Sequence, residues 1–389
     1  MSTGLLARDS GAPIDFERMR RDRFQRVLEA MERHSLDVLI AGKPGNARYI
    51  TGANTNTNIA GARGFSPSVI VIRERREFHI MTWWDAGVPA SVPRDRLFPI
   101  SWNPSRMIEN VKKAIGTTQG QRIGVDLMSA LFAGLISQAL PKASLTGGEK
   151  AMVEARAVKT PEEIECLRTA IDISEGALAV AITSLRPGVT ERDLLGTFEK
   201  AATGYGVTFP LVQGGFCVQP KHARGTPMHF LSTERPVQSG DMVTMSSGFS
   251  YMGYDADVGR TWVCGTPPAA RQKALFSRWR AALDAMREAC RPGSTAASLR
   301  KAFLRAEPGA APSAPLAHGS GMGIEPPLVG TELGEAFEQS WKLAPGMVIT
   351  LQPYIWQEGV GGVLAKETAL ITAEGHELLT HLSHGPLEE

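Results

Sequence analysis

Short apolar runs bounded by polar turns mark strands in the first part of the chain, and longer amphipathic stretches between them mark helices. Asp15 is placed to cap a helix running from about Phe16 to His34. Asp37-Val38-Leu39-Ile40-Ala41 reads as a short buried strand. Ser68-Val69-Ile70-Val71-Ile72 and Glu77-Phe78-His79-Ile80-Met81 read as two more, split by the charged turn from Arg73 to Arg76. Arg122-Ile123-Gly124-Val125-Asp126 is a further strand. The apolar stretch from Leu127 to Leu140 carries Ser129, Gly134, Ser137 and Gln138, so it reads as a core helix. It falls short of the roughly 18 apolar residues that a membrane span needs. Together these elements predict an α/β domain over residues 1–155.

A second domain is expected over residues 156–389. Thr160 as cap, Pro161 at the first helical position and Glu163 in the first turn form a helix-start signal, and that helix runs to about Leu185. A turn, a second helix from Glu191 to Tyr205, and strands around Phe216 and from Met242 follow. Then the pattern returns. Leu185-Arg186-Pro187-Gly188-Val189-Thr190 reappears as Cys290-Arg291-Pro292-Gly293-Ser294-Thr295, and Gly240-Asp241-Met242-Val243 as Pro345-Gly346-Met347-Val348. The same interval separates Arg186 from Arg291 and Val243 from Val348. Two unrelated motifs sharing one interval point to a duplicated unit, and the unit is too long for a solenoid. Each half reads as helix, helix, then antiparallel strands. The expected class is α+β, with a curved antiparallel sheet backed by helices.

Bulk composition removes several functions. The 389 residues are 43% hydrophobic and 21% charged, with a net charge of +2, which supplies no strong field for nucleic acid. The run Arg18-Met19-Arg20-Arg21-Asp22-Arg23 reads as the solvated face of the first helix. The N-terminus shows no apolar signal region, and no stretch suits a membrane. The four cysteines have no CxxC spacing, so neither a zinc site nor a disulfide framework is implied, and a cytoplasmic location is expected. Cys217 has no adjacent base and reads as a buried thiol. Trp83-Trp84-Asp85 reads either as a pocket wall or as ordinary core and rim.

The chemistry gathers late in the chain. Gly253-Tyr254-Asp255-Ala256-Asp257-Val258-Gly259-Arg260-Thr261 follows a strand, Ala317-His318-Gly319-Ser320-Gly321-Met322-Gly323 lies in the second repeat, and Pro345-Gly346-Met347-Val348-Ile349-Thr350-Leu351-Gln352-Pro353 and Lys366-Glu367-Thr368 come after it. Asp255 and Asp257 share a face if the strand is regular, where they meet substrate or salt-bridge Arg260. Glu367 sits in an apolar strand and needs a partner if buried, with His318 or His229 the expected one.

These four motifs, in this order, resemble the pita-bread family of Xaa-Pro aminopeptidases, prolidases and creatinases. The resemblance covers nearly the whole chain and implies a pita-bread fold of two ααββ-type halves behind a creatinase-like N-terminal domain. Metallopeptidases of that family hold two metal ions with two aspartates, a histidine and two glutamates. Their positions correspond here to Ser246, Asp257, His318, Gln352 and Glu367. A hydroxyl and an amide do not replace two carboxylates in balancing two hard dications, so the dinuclear site is expected to be lost. One divalent ion on Asp257, His318 and Glu367, with Gln352 as a weak fourth ligand, is the alternative; otherwise no cofactor is expected.

Loss of carboxylates resembles the creatinase branch, which hydrolyses a C–N bond without metal. His229, upstream of Asp241, stands at the place of the creatinase base, with Glu367 and His318 as further catalytic residues. Arg63, in the polar loop Asn54 to Ser66, is the counterpart of an anion-binding arginine. Glu325 takes the place of the peptidases' second pocket histidine, or belongs to a shortened H-E-P-P. Retention of Asp257 departs from creatinase. The leading expectation is a metal-independent hydrolase of a small polar, amino-acid-like substrate, acting as a homodimer. Its substrate-binding residues would be Arg63, Asp255, Asp257, Glu325 and Gln352. A one-metal Xaa-Pro peptidase-like hydrolase or lyase, and an inactive pita-bread binding protein, are the alternatives.

Overall fold

A computed structural model describes residues 14–53, 68–83, 85–116, 121–207, 214–222, 230–310, 312 and 314–387. The chain forms two compact units, Met1–Glu162 and Glu163–Glu389.

In the first unit, α1 (Phe16–Arg33), β1 (Val38–Ala41), α2 (Pro44–Thr51), β2 (Val69–Ile72), β3 (Glu77–Met81), β4 (Leu97–Phe98), α3 (Pro104–Ile115), β5 (Arg122–Val125), α4 (Ala130–Ala139), β6 (Ser144–Gly147) and α5 (Glu149–Ala157) follow in order. The six strands make one sheet, ordered β4-β3-β2-β1-β5-β6. β1 runs antiparallel to β2 and parallel to β5, so its four apolar residues are buried on both faces. Val38, Ile40, Ile70 and Ile72 pack with Met107, Val111 and Ile115 of α3 and with Phe132 and Ile136 of α4. The Asp15 carboxylate accepts from the Arg18 backbone N–H at 2.8 Å, which caps α1. Two sequence expectations change here. α4 buries only Phe132 and Ile136, and Leu131 is 58% exposed, so this is a half-exposed helix and not a core one. Arg23 is buried with its guanidinium 5.3 Å from the Tyr49 ring, so the arginine run is not wholly solvated. Trp83 packs on Trp102 at 5.8 Å, whereas Trp84 lies outside the described residues.

The second unit contains α6 (Pro161–Thr183), α7 (Glu191–Tyr205), β7 (Gly215–Val218), β8 (Met242–Ser247), β9 (Ser250–Tyr251), β10 (Tyr254–Asp255) and β11 (Val258–Val263). After these come α8 (Ala270–Ala289), α9 (Ala296–Ala306), β12 (Ala317–Gly321), β13 (Gly323–Val329), α10 (Gly334–Ser340), β14 (Val348–Leu351), β15 (Tyr354–Gln357), β16 (Gly361–Leu364), β17 (Glu367–Ile371) and β18 (His376–Leu378). Two helices precede the strands in each half, as the repeat predicts. One sheet runs β11-β8-β7 and the other β13-β12-β14-β17-β18. A bridge between Gly259 and Lys366 joins them.

The duplication is visible in hydrogen bonds. Gly188 N–H donates to the Val237 carbonyl and Gly293 N–H to the Leu343 carbonyl, both at 2.8 Å. Both glycines have positive φ, 91° and 83°, a conformation that glycine adopts at little cost in the turn ahead of each second helix. Thr190 bridges Pro236, and Thr295 bridges Lys342. Inside the sheets, Thr244 meets Thr261 at 2.9 Å and Thr350 meets Thr368 at 3.0 Å, one buried hydroxyl pair between neighbouring strands in each half. No helix among the described residues is long and apolar enough to cross a membrane.

Candidate active site

Where the two sheets of the second unit meet, they line a cavity of about 280 Å³. Its floor is one lateral row. Gly259 of β11 pairs with Ser246 of β8 on one side and bridges Lys366 on the other. A methyl group placed on Gly259 would lie 3.4 Å from Ser246 Cβ and 3.2 Å from Lys366 Cγ, so the two side chains flank the bare Cα on a shared face. Asp257 stands just before β11. At the near end of β12 a register shift between His318 and Gly319 re-aims the His318 ring.

These side chains form one charged cluster. The Asp257 carboxylate meets the Lys366 ammonium at 2.5 Å through Oδ1 and His318 Nε2 at 2.9 Å through Oδ2. His318 Nδ1 faces the Gly319 carbonyl at 3.0 Å. Burial alone would push the Asp257 carboxyl up, but the Lys366 charge and the His318 contact overcome it and hold the group well below the usual carboxylate range. Asp255, Ser320, Phe230 and Ile324 complete the walls. Asp255 and Asp257 both line the cavity although the chain is not one regular strand there, since β10 ends at Asp255 and β11 starts at Val258. Asp257 pairs with Lys366 and His318, where the sequence suggested Arg260.

Three sequence-predicted site residues point elsewhere. Glu367 is adjacent to Lys366, and strand alternation sends its side chain to the opposite face. There it accepts from Thr380 Oγ at 3.0 Å, meets His384 Nε2 at 2.9 Å and lies 3.7 Å from Arg260. Its buried partner is therefore His384, while His318 turns to Asp257. Burial raises the Glu367 carboxyl, but His384 and Arg260 more than reverse this and lower it. Gln352 donates through Nε2 to the Pro315 carbonyl at 2.9 Å and does not line the cavity. Glu325 is buried over Gly321 and accepts from Met322 N–H at 3.1 Å. His229 and Arg63 lie outside the described residues; Phe230, which follows His229, lines the cavity. Lys366 is the site residue that motif spacing missed. Its signal was present, since a lysine inside an otherwise apolar strand must find a counter-ion.

The Gly-rich stretch before β7 has a geometric reason. A methyl group on Gly215 would fall 1.5 Å from the Phe230 carbonyl oxygen, so only glycine allows these backbones to approach beside the cavity. Cys217, next but one along, is inert: burial pushes its thiol up to about 12.

The depressed carboxyls fix an acid limit on stability. Both Asp257 and Glu367 titrate below their ordinary values of 3.8 and 4.5 in the folded chain. The unfolded chain therefore takes up their protons first as pH falls, and the native state loses ground. Unfolding free energy from urea titrations should be level above about pH 5 and decline below about pH 4.5. Glu367→Gln should lower the plateau and make the acid decline shallower; an unchanged slope would remove Glu367 from that account.

Comparison with known proteins now places the chain. The sequence profile described as metallopeptidase family M24 matches residues 165–373, and the creatinase/prolidase N-terminal domain matches residues 23–158. The chain belongs to metallopeptidase family M24. As an M24 protein it is a hydrolase acting on C–N bonds. The Xaa-Pro dipeptidase of Pyrococcus horikoshii is 26% identical over 373 residues, spanning 92% of this chain and 97% of that protein. The Xaa-Pro dipeptidase of Lactobacillus helveticus is 29% identical over 286 residues, 70% of this chain and 73% of that one. In fold, the prolidase from Pyrococcus horikoshii OT3 superposes with a TM-score of 0.73 at 20% identity, covering 94% of this chain and 99% of the other. A dipeptidase from the same organism gives 0.75 at 20% identity, covering 93% and 98%. The pita-bread fold follows from these.

Against this family's metal chemistry the present side chains fit poorly. Asp257 already carries an ammonium on one oxygen and an imidazole on the other, Ser246 offers only a hydroxyl, Gln352 is turned to a backbone carbonyl, and Glu367 faces the other side of its strand. Among the described residues no group of three His, Cys, Asp or Glu side chains is placed to hold a metal ion. Two divalent cations beside the Lys366 ammonium would meet repulsion and too few anionic donors.

Proposed function

We propose that this M24 protein hydrolyses a C–N bond of a small polar, amino-acid-like substrate without a dinuclear metal centre. The observation that carries the reading is the Lys366 ammonium, 2.5 Å from Asp257, on the cavity floor. A cavity of about 280 Å³ lies near the lower end of the roughly 300–1,000 Å³ that small-ligand sites span, which favours a compact substrate. His229 acts as general base: it takes a proton from water as the water oxygen bonds to the electrophilic carbon. It then returns the proton to the leaving nitrogen as the C–N bond breaks. Asp257, ionised, fixes Lys366 and His318 in the wall.

A second reading is supported by the relatives that carry the name Xaa-Pro dipeptidase over nearly their whole length. In that reading the chain cleaves Xaa-Pro dipeptides with a bound divalent ion. One experiment separates the two. The purified protein is assayed against Xaa-Pro dipeptides and against a panel of small amides and ureido acids, with EDTA or with added Mn²⁺ or Co²⁺. Turnover of a panel compound that EDTA leaves unchanged supports the first reading. Dipeptide cleavage that appears only with metal overturns it and establishes the second.

A further inference from the structure

The row Ser246–Gly259–Lys366 carries donors beyond the Lys366–Asp257 contact on which the hydrolase reading rests. The Lys366 ammonium has three N–H donors and spends one on Asp257; the others have no partner among the described residues. Beside it, the Ser246 hydroxyl is fully buried, lines the cavity, and has no hydrogen-bond partner among the described residues. The hydroxyls of Ser247 and Ser250 are also unpartnered, but they do not line the cavity. Gly259 leaves open the space between the two donors. A buried O–H and a buried N⁺–H that share one face and lack an acceptor are complementary to an oxygen carrying negative charge.

We propose that Lys366 Nζ and Ser246 Oγ together bind an anionic oxygen of the ligand. Lys366 supplies from the chain itself a positive charge of the kind that metal ions supply in metallopeptidases, and Ser246 adds a neutral donor. The oxygen belongs either to a substrate carboxylate or to the tetrahedral species formed when water attacks the electrophilic carbon. Both present the same chemistry to the two donors. The inference deepens the hydrolase reading, but its test needs no turnover, so either fails without the other.

The probes are sodium acetate, a planar carboxylate, and sodium methylphosphonate, a tetrahedral anion. Binding is read by isothermal titration calorimetry and by melting-temperature shift against sodium chloride of equal ionic strength. The wild-type protein should bind at least one of them. Lys366→Met should weaken that binding about 10- to 100-fold, the loss expected for a hydrogen bond to a charged group. Lys366→Arg, which keeps the charge, should retain most of it. Ser246→Ala removes a hydroxyl without a protein partner, so it should leave the melting temperature of the ligand-free protein unchanged while weakening anion binding. That pairing of effects would not arise from a purely structural serine, and it keeps the test valid if Lys366→Met folds poorly. Preference for acetate assigns the site to a substrate carboxylate, and preference for methylphosphonate to the tetrahedral oxyanion. Absence of binding by either anion, or affinity unchanged in Ser246→Ala and in a folded Lys366→Met, overturns the proposal. So does stoichiometric uptake of Mn²⁺ by the wild-type protein.

Discussion

In a substrate that the protein turns over, His229→Ala should lower kcat by about 100- to 10,000-fold, the range for loss of a general acid–base group. Among the described cavity residues, Asp257, His318, Ser246 and Lys366 are poor bases. Asp257 is held ionised well below the usual range by Lys366 and His318, so it has little proton affinity to offer. His318 has one ring nitrogen against the Gly319 carbonyl and the other against Asp257. Ser246 and Lys366 are donors. An imidazole titrates near neutral pH and suits proton transfer in both directions. The acid limb of the kcat–pH profile should therefore report one imidazole, and the residual rate of the variant should lack that limb. His318→Ala should also lower kcat, because it removes one of the two groups that hold Asp257. Near-normal rates in His229→Ala combined with an inactive His318→Ala would transfer the base role to the Asp257–His318 pair.

The largest stability effect should come from Arg260, one strand position past the cavity floor. Its side chain is fully buried. It meets Glu175 at 3.3 Å and Glu367 at 3.7 Å, and donates to the carbonyls of Gly259 and Lys366 at 2.8 Å and of Leu382 at 2.6 Å. Glu175 in turn accepts from the N–H groups of His381 and Leu382, so the network pins the C-terminal segment to the sheet. Removing one partner of a buried ion pair strands the other, at a cost of about 3–5 kcal/mol. Arg260→Ala should show that loss in urea-induced unfolding. Arg260→Lys should recover little of it, because one ammonium cannot reproduce the planar, five-donor geometry. A loss below about 1 kcal/mol would mean that the two glutamates find other partners or protonate at little cost. Because the same guanidinium holds the Lys366 carbonyl, Arg260→Ala should also loosen the cavity floor and reduce turnover.

The fold and the place of the site were legible in the sequence because they rest on local and repeated signals. Asp15 caps α1 through the Arg18 N–H, as its position before an amphipathic run implies. The two RPG turns return with the same backbone bonds because both place a glycine at positive φ ahead of a helix. Asp257 and His318 come together because each lies at a strand junction of the duplicated sheet. What the sequence left open was decided by which way neighbouring side chains face. Lys366 and Glu367 are adjacent charged residues in one apolar strand, and motif spacing alone assigns the site to the wrong one. A slip of one residue in a strand exchanges its two faces. The bridge from Gly259 to Lys366 settles the register, turning the ammonium to Asp257 and the carboxylate to Arg260 and His384. The sequence therefore determined a duplicated fold of the M24 family and the neutral side chains of Ser246 and Gln352. Only the tertiary structure decided that a lysine takes the floor of the cavity, because the counter-ion that holds it there, Asp257, lies more than a hundred residues earlier in the chain.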